Sequence, residues 1–319
     1  MTLAAPFSRF YKRSCRVDIV NGRGESFSVE NLDDDGVDIA FDLTRTDQPT
    51  PDRGVVRIAN LASDERSRLE EWYRRDRVLD VVVNAGYDGT VETIFVGHAY
   101  QVFPSRYAAE DIVTELRLGD GLRGFRDADV QMAFSPTATL REALTALATT
   151  FQAGLVNEAA ALDAETRKQL AATAAKPLSV MMGQGWVANG SMRAAMDHLT
   201  RAAGLRWWVR DGKLRLVPLG ATTRDFVVVM APGTGLRDGP DPVDEDHVRA
   251  VSMLNPQVFP GRRVVIVADD AQAPTSGALS LDSFAGGQVH RVVEARFVGD
   301  LASDPWDVAI TAKREALPA

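Results

Sequence analysis

The sequence predicts a mainly β protein interrupted by an α+β insertion. Segments that alternate apolar and polar residues occur toward both ends of the chain. Val37, Ile39, Phe41 and Leu43 oppose Asp38 and Asp42, and Trp306, Val308, Ile310 and Ala312 oppose Asp307, Ala309, Thr311 and Lys313. Glycine-containing turn pairs such as Asp88-Gly89 and Asp211-Gly212 punctuate such segments. Between residues 134 and 219 the pattern changes to helices followed by one hairpin.

The elements follow in order. Residues 16–20 and 26–29 flank Asn21-Gly22-Arg23-Gly24 and read as a hairpin. Residues 37–43 and 54–61 are alternating strands. A helix follows, with Ser63 as its cap, Asp64 and Glu65 at the positive end of its dipole, and Leu69, Trp72 and Tyr73 on its sticky face. Residues 78–85 form a near-continuous apolar strand. Gly86-Tyr87-Asp88-Gly89 is its turn, residues 90–96 return, and Gly97 marks a bend or bulge. Residues 112–118 are a further alternating strand.

In the middle, Thr139 and Glu142 make a capping-box pattern ahead of Leu140, Ala143, Leu144 and Leu147. Residues 159–175 are alanine-rich and read as helical. Ser191 caps a third helix carrying Met192, Ala195, Met196 and Leu199, and Gly204 stands where a helix-ending glycine belongs. Strands 205–209 and 214–217 then flank Asp211-Gly212. Trp207 and Trp208 are adjacent on a strand and so face opposite ways. One is core. The other is either an exposed interface anchor or is covered as well.

Residues 233–247, with their Gly-Pro pairs and acidic run, read as an exposed connection. Pro260-Gly261 suits a type II turn. Strands are expected at 263–268 and 290–298, the second after a Gly286-Gly287 turn, and the Trp306-led strand closes the chain.

The 319 residues are enough for two or three domains, and 45% hydrophobic with 25% charged residues is an ordinary globular balance. A net charge of −8 argues against a dedicated nucleic-acid binder, which needs a basic face. The single cysteine, Cys15, excludes an internal disulfide and reads as a core residue. The first residues lack the charged start and apolar run of a signal peptide. The longest apolar runs, such as 78–85, have strand length, short of the ~20 residues that span a membrane. The protein is therefore expected to be made and assembled in the cytoplasm, unless another machine exports it.

Reactive constellations are missing from the sequence. His98, His198, His247 and His290 lack metal-ligand spacing, and each reads as structural or surface. Gly183/Gly185 and Gly233/Gly235 lack the lysine and context of a phosphate loop. Asp33-Asp34-Asp35 lacks calcium-loop spacing and reads as a solvated turn. The expectation is a protein with no enzymatic activity, no metal and no cofactor.

Two groups of segments, taken in order, resemble the baseplate hub proteins of phage tails, the gene-27-like and late control D-like hub family. The first comprises Gly54 to Leu61, ending in Asn-Leu, a helix, then Ala85-Gly86-Tyr87-Asp88-Gly89 and Ile94-Phe95-Val96-Gly97. The second comprises Asn255-Pro256 through Pro260-Gly261, a strand ending Gly299-Asp300, and the strand led by Trp306. The resemblance covers about two-thirds of the chain.

It implies two tail-tube-like β-barrel domains, at residues 1–125 and 231–319, around a helix-and-hairpin middle domain at 126–230. Three subunits would form a ring joining a sixfold tail tube to a threefold central spike, with DNA passing through. Expected partners are two further copies of the chain, the tail tube or distal tail protein, the central spike, the tape measure protein and other baseplate proteins. The expected location is the virion tail tip. Residues expected to build the barrels or their contacts are Tyr87, Val82, Phe95, Trp208, Pro260, Gly261, Trp306 and Ile310. The alternatives are a distal tail or tube-adaptor protein, and a carbohydrate-binding or hydrolytic tail protein.

Overall fold

The computed structural model describes residues 12–30, 37–88, 91–106, 112–155, 183–218, 227–267 and 289–314. The chain divides into two compact units. One comprises Met1–Arg45, Arg53–Gly119 and Thr223–Ala319, and the other Thr46–Asp52 and Asp120–Thr222.

In the first unit β1 (Arg13–Val20) pairs with β2 (Ser26–Glu30), as the Asn21–Gly24 pattern predicts. The Asn21 side-chain oxygen accepts from the Arg23 and Glu25 amides at 2.9 and 3.0 Å, and Gly24 supplies a φ of 83°. Next come β3 (Asp38–Thr46), β4 (Asp52–Ala59), helix α1 (Ser63–Asp76), β5 (Leu79–Tyr87), β6 (Glu92–Arg106) and β7 (Ile112–Asp120). After the second unit the chain returns with β12 (Val228–Met230), a single 3-10 turn, β13 (Leu236–Pro242), β14 (His247–Met253), β15 (Arg263–Ile266), β16 (Val289–Asp300) and β17 (Trp306–Arg314).

These strands form one 13-stranded sheet, ordered β13-β14-β17-β16-β3-β4-β7-β6-β5-β1-β2, with β15 between β16 and β12. The path is open: β13 and β2 are free ends, and closure into a barrel is not seen among the described residues. The early and late strand groups meet where β16 lies beside β3. Their inward residues, including Val17, Phe41, Val56, Leu116, Val292, Phe297 and Ile310, share one hydrophobic cluster. Burying each large apolar side chain contributes roughly 1.5–3 kcal/mol.

Four local expectations change. The stretch 233–247 is not a plain connection: residues 236–242 pair with β14 through two register shifts. Its prolines are tolerated because β13 is an edge strand, where a missing amide breaks little of the ladder. Gly97 marks no bulge; the shifts lie at Val83/Asn84 and Ala99/Gln101. A Cβ at Gly97 would meet the Gly119 carbonyl oxygen at 2.8 Å, so the glycine permits close strand approach. Ala62, not Ser63, occupies the helix cap, and the Ser63 carbonyl accepts from the Ser67 hydroxyl at 2.8 Å. Strand β5 runs through Tyr87, so the turn starts at Asp88; Gly89 lies outside the described residues.

The second unit contains α2 (Leu122–Asp127), β8 (Asp129–Phe134), α3 (Leu140–Leu155), β9 (Trp186–Ser191), α4 (Met192–Ala202), β10 (Leu205–Arg210) and β11 (Lys213–Pro218). The capping box is present: Thr139 N donates to Glu142 Oε2 at 2.9 Å, and Glu142 N donates to Thr139 Oγ1 at 3.3 Å. Ser191 holds the cap position of α4 without a side-chain bond. Asp211 and Gly212 have φ values of 54° and 68°, the pair of left-handed residues a type I′ hairpin needs. The expected 159–175 helix, the Asp33–Asp35 turn and the Gly286-Gly287 turn lie outside the described residues.

Candidate assembly surface

On β3, β4 and β16 buried apolar residues such as Phe41, Val56 and Phe297 alternate with the more exposed Asp42, Arg57 and Arg296, and Glu115 and Arg117 on β7 reach the same side. An ionic row crosses five neighbouring strands there. Arg296 on β16 holds Asp42 on β3 with two bonds, Nε to Oδ1 at 2.8 Å and Nη2 to Oδ2 at 2.6 Å. Arg57 on β4 and Arg117 on β7 each donate through Nε to opposite oxygens of Glu115, both at 3.1 Å. Arg117 continues to Gln101 on β6 at 3.2 Å. The Arg296 pair, aided by Arg57, holds the Asp42 carboxyl below its ordinary range.

Further along the same sheet, β2, β1, β5 and β6 share a chain of polar side chains. Ser28 and Asn84 donate to Asp18 at 2.6 and 3.2 Å, and Thr93 donates to Asn84 at 2.7 Å.

The inward side of the junction is close-packed. Phe41 meets Trp306 edge-on at 5.3 Å between centroids, and a Cβ at Gly299 would overlap the Phe41 ring. Arg13 binds the Asp300 carbonyl at 3.1 Å and the Asp304 carboxylate, and lies 5.8 Å from the Trp306 ring. Tyr87, at the end of β5, is buried, and that burial pushes its phenol up to about 12, with Asp307, Arg13 and Arg237 close enough to act on it. Burial also raises Asp307, against the opposing pull of Arg237, whose Nη1 is 2.9 Å away.

The selected residues fall in different places. Phe95, Trp306 and Ile310 are inward and buried. Val82 is half-buried on the outward side, opposite Asp18 and Val96 in register. Pro260 and Gly261 are buried in a turn closed by Arg262 N to Phe259 O at 3.2 Å, with Gly261 at φ 87° as type II geometry requires. Trp208 is in the second unit and not in the large sheet. It is fully buried, as is Trp207, so neither is an exposed anchor. Trp207 stacks on Phe125 at 5.6 Å and donates to Asp197 at 2.8 Å, while Arg206 covers the Trp208 ring at 5.3 Å.

His98 meets Asp80 at 2.7 Å, His247 meets Asp244 at 2.9 Å, and His198 stacks on Trp186 at 5.6 Å. His290 is buried in β16. Groups of three or more metal-ligating side chains are not found among the described residues, and no helix there is long and apolar enough to cross a membrane. Sequence reasoning missed the ionic row. Its members were visible only as outward positions on separate strands, and strand order was needed to align them.

Comparison of the fold supplies the remaining observation. A 43 kDa tail protein of prophage MuSo2 from Shewanella oneidensis superposes with a TM-score of 0.56 at 11% identity, covering 94% of this chain and 99% of that one. The chain shares the fold of a phage tail protein. A tail protein from Neisseria meningitidis MC58 gives 0.54 at 11% identity, with 95% and 96% covered. Both likenesses to the tail fold span nearly complete chains. No protein-family model and no curated protein sequence matches this chain.

Proposed function

We propose that the chain is a structural baseplate hub subunit of a phage or phage-like tail. Three copies form a ring between the sixfold tube and the threefold central spike, and DNA passes through it. The two strand-rich segments, 1–125 and 231–319, act as tail-tube-like barrel modules, and 126–230 is the middle domain. Six similar modules from three chains resolve the symmetry mismatch. The carrying observation is that strands from both segments adjoin, β3 beside β16, over one core, in a fold that tail proteins share. In this reading the chain works by assembly and performs no chemistry. Its partners are the tube or distal tail protein, the central spike, the tape measure protein and neighbouring baseplate proteins, and its place is the virion tail tip.

The test is co-expression of the full chain with the spike and tube proteins of its own tail, followed by mass measurement and electron microscopy. A ring of three copies between spike and tube is expected. Location of the chain one ring further up the tube would assign it as a distal tail or adaptor protein. Glycan binding or cleavage by an isolated monomer that joins neither partner would overturn the reading.

A further inference from the structure

The ionic row has a composition that a structural tie does not require. Arg57 and Arg117 pair with Glu115, Arg296 pairs with Asp42, and Glu294, exposed two residues before Arg296 on β16, adds a third carboxylate beside the row. The arginine side chains remain 46%, 46% and 53% exposed, so the row meets solvent. The core of a protein–protein interface is depleted of charge, which makes this row a poor docking patch for another subunit. Exposed arginines are also strong bidentate ligands for phosphate. Here the Arg296 fork is occupied by Asp42, and the Nε atoms of Arg57 and Arg117 are both directed to Glu115.

We infer that this row is a charge-compensated track facing a passing double-stranded polyanion, in which Asp42 and Glu115 withhold the arginines from phosphate. The inference rests on the hub reading and adds which face of the sheet lines the passage. A wall of bare arginines would grip DNA, and a purely acidic wall would repel it. Opposite charges held side by side largely cancel each other's Coulomb field a few ångströms away, so a paired row does neither.

The test compares the full chain with the double variant Asp42→Asn, Glu115→Gln, using fluorescence anisotropy with a short labelled DNA duplex at two salt concentrations. Glu70→Gln, Glu71→Gln on α1 is the charge-matched control. Wild type and control should show little binding. The row variant should bind about tenfold tighter or more, with a log–log salt slope steeper by about 2, for two or three phosphates newly contacted. Binding by the row variant no tighter than by the control, with the variant still melting cooperatively, would overturn the inference. So would tight binding by wild type.

Asp42→Asn alone, at a half-exposed position, serves if the double variant fails to fold; it should show the same gain in part, and no gain over the control counts against the inference. Tails assembled with Asp42→Asn should release DNA several-fold more slowly. Normal rings with unchanged release would sink the track and leave the hub intact, whereas absence of the chain from the tail tip would sink the hub.

Discussion

Gly299 and Phe41 show how one missing methyl group sets the approach of two strands. Any side chain at 299 occupies space held by the Phe41 ring, which is itself wedged against Trp306. Gly299→Val should cost about 1–3 kcal/mol through overpacking, read as a lower midpoint in urea, with Gly299→Ala less severe. Ile310 is buried and Val82 is not fully so, which separates two substitutions of like chemistry. Ile310→Asp places a charge in a dry core and should cost several kcal/mol, enough to abolish soluble folded protein. Val82→Asp instead sets a carboxylate opposite Asp18. It should cost about 1 kcal/mol and leave a cooperative melt. Loss of ring assembly by that folded variant would mark the outward side of β5 as a subunit contact.

Element-level stability divides between local chemistry and neighbours. Helix α3 begins with a reciprocal cap, so Thr139→Ala should lower stability by about 1 kcal/mol, measured by chemical denaturation. The tie between β3 and β16 is instead pH-dependent. Arg296 lowers the native pKa of Asp42, so its contribution is complete above the ordinary carboxylate value near ~4 and is lost as pH falls through the lowered native value. Acidification through that window should lower the melting temperature of wild type more steeply than that of Asp42→Asn. Equal slopes would show that the pair contributes nothing. Strand β13 shows the opposite dependence on context. Its composition disfavours a strand, yet an edge position beside β14 accepts it.

At the scale of the whole molecule, the first unit is built from both ends of the chain, with residues 53–119 and 223–319 in one compact body. Residues 1–125 expressed alone would expose the flank of β3 that β16 covers, together with the inward faces of Phe41 and Ile39. That fragment should be insoluble or molten by proton NMR, and adding residues 231–319 as a separate chain should restore dispersion. A well-folded isolated fragment would show that the early strands need no partner from the late ones.

Much of the local structure was legible in the sequence because its causes are local. Asn21 with Gly24, Asp211 with Gly212, and Pro260 with Gly261 dictate turns through backbone angles, and Thr139 with Glu142 dictates a helix start. Alternation identified the apolar side of strands such as 37–43 and 306–312, and the residues it put there, Phe41, Trp306 and Ile310 among them, are buried. Tertiary structure alone decided that β3 and β16 are neighbours, that Trp207 and Trp208 are both covered, and that Gly97 serves close approach. It also aligned Arg296, Asp42, Arg57, Glu115 and Arg117 into one row. The division has a physical reason. A period of two tells a strand which residues face inward, but the identity of the next strand is set by burial and hydrogen bonding between segments far apart in the chain.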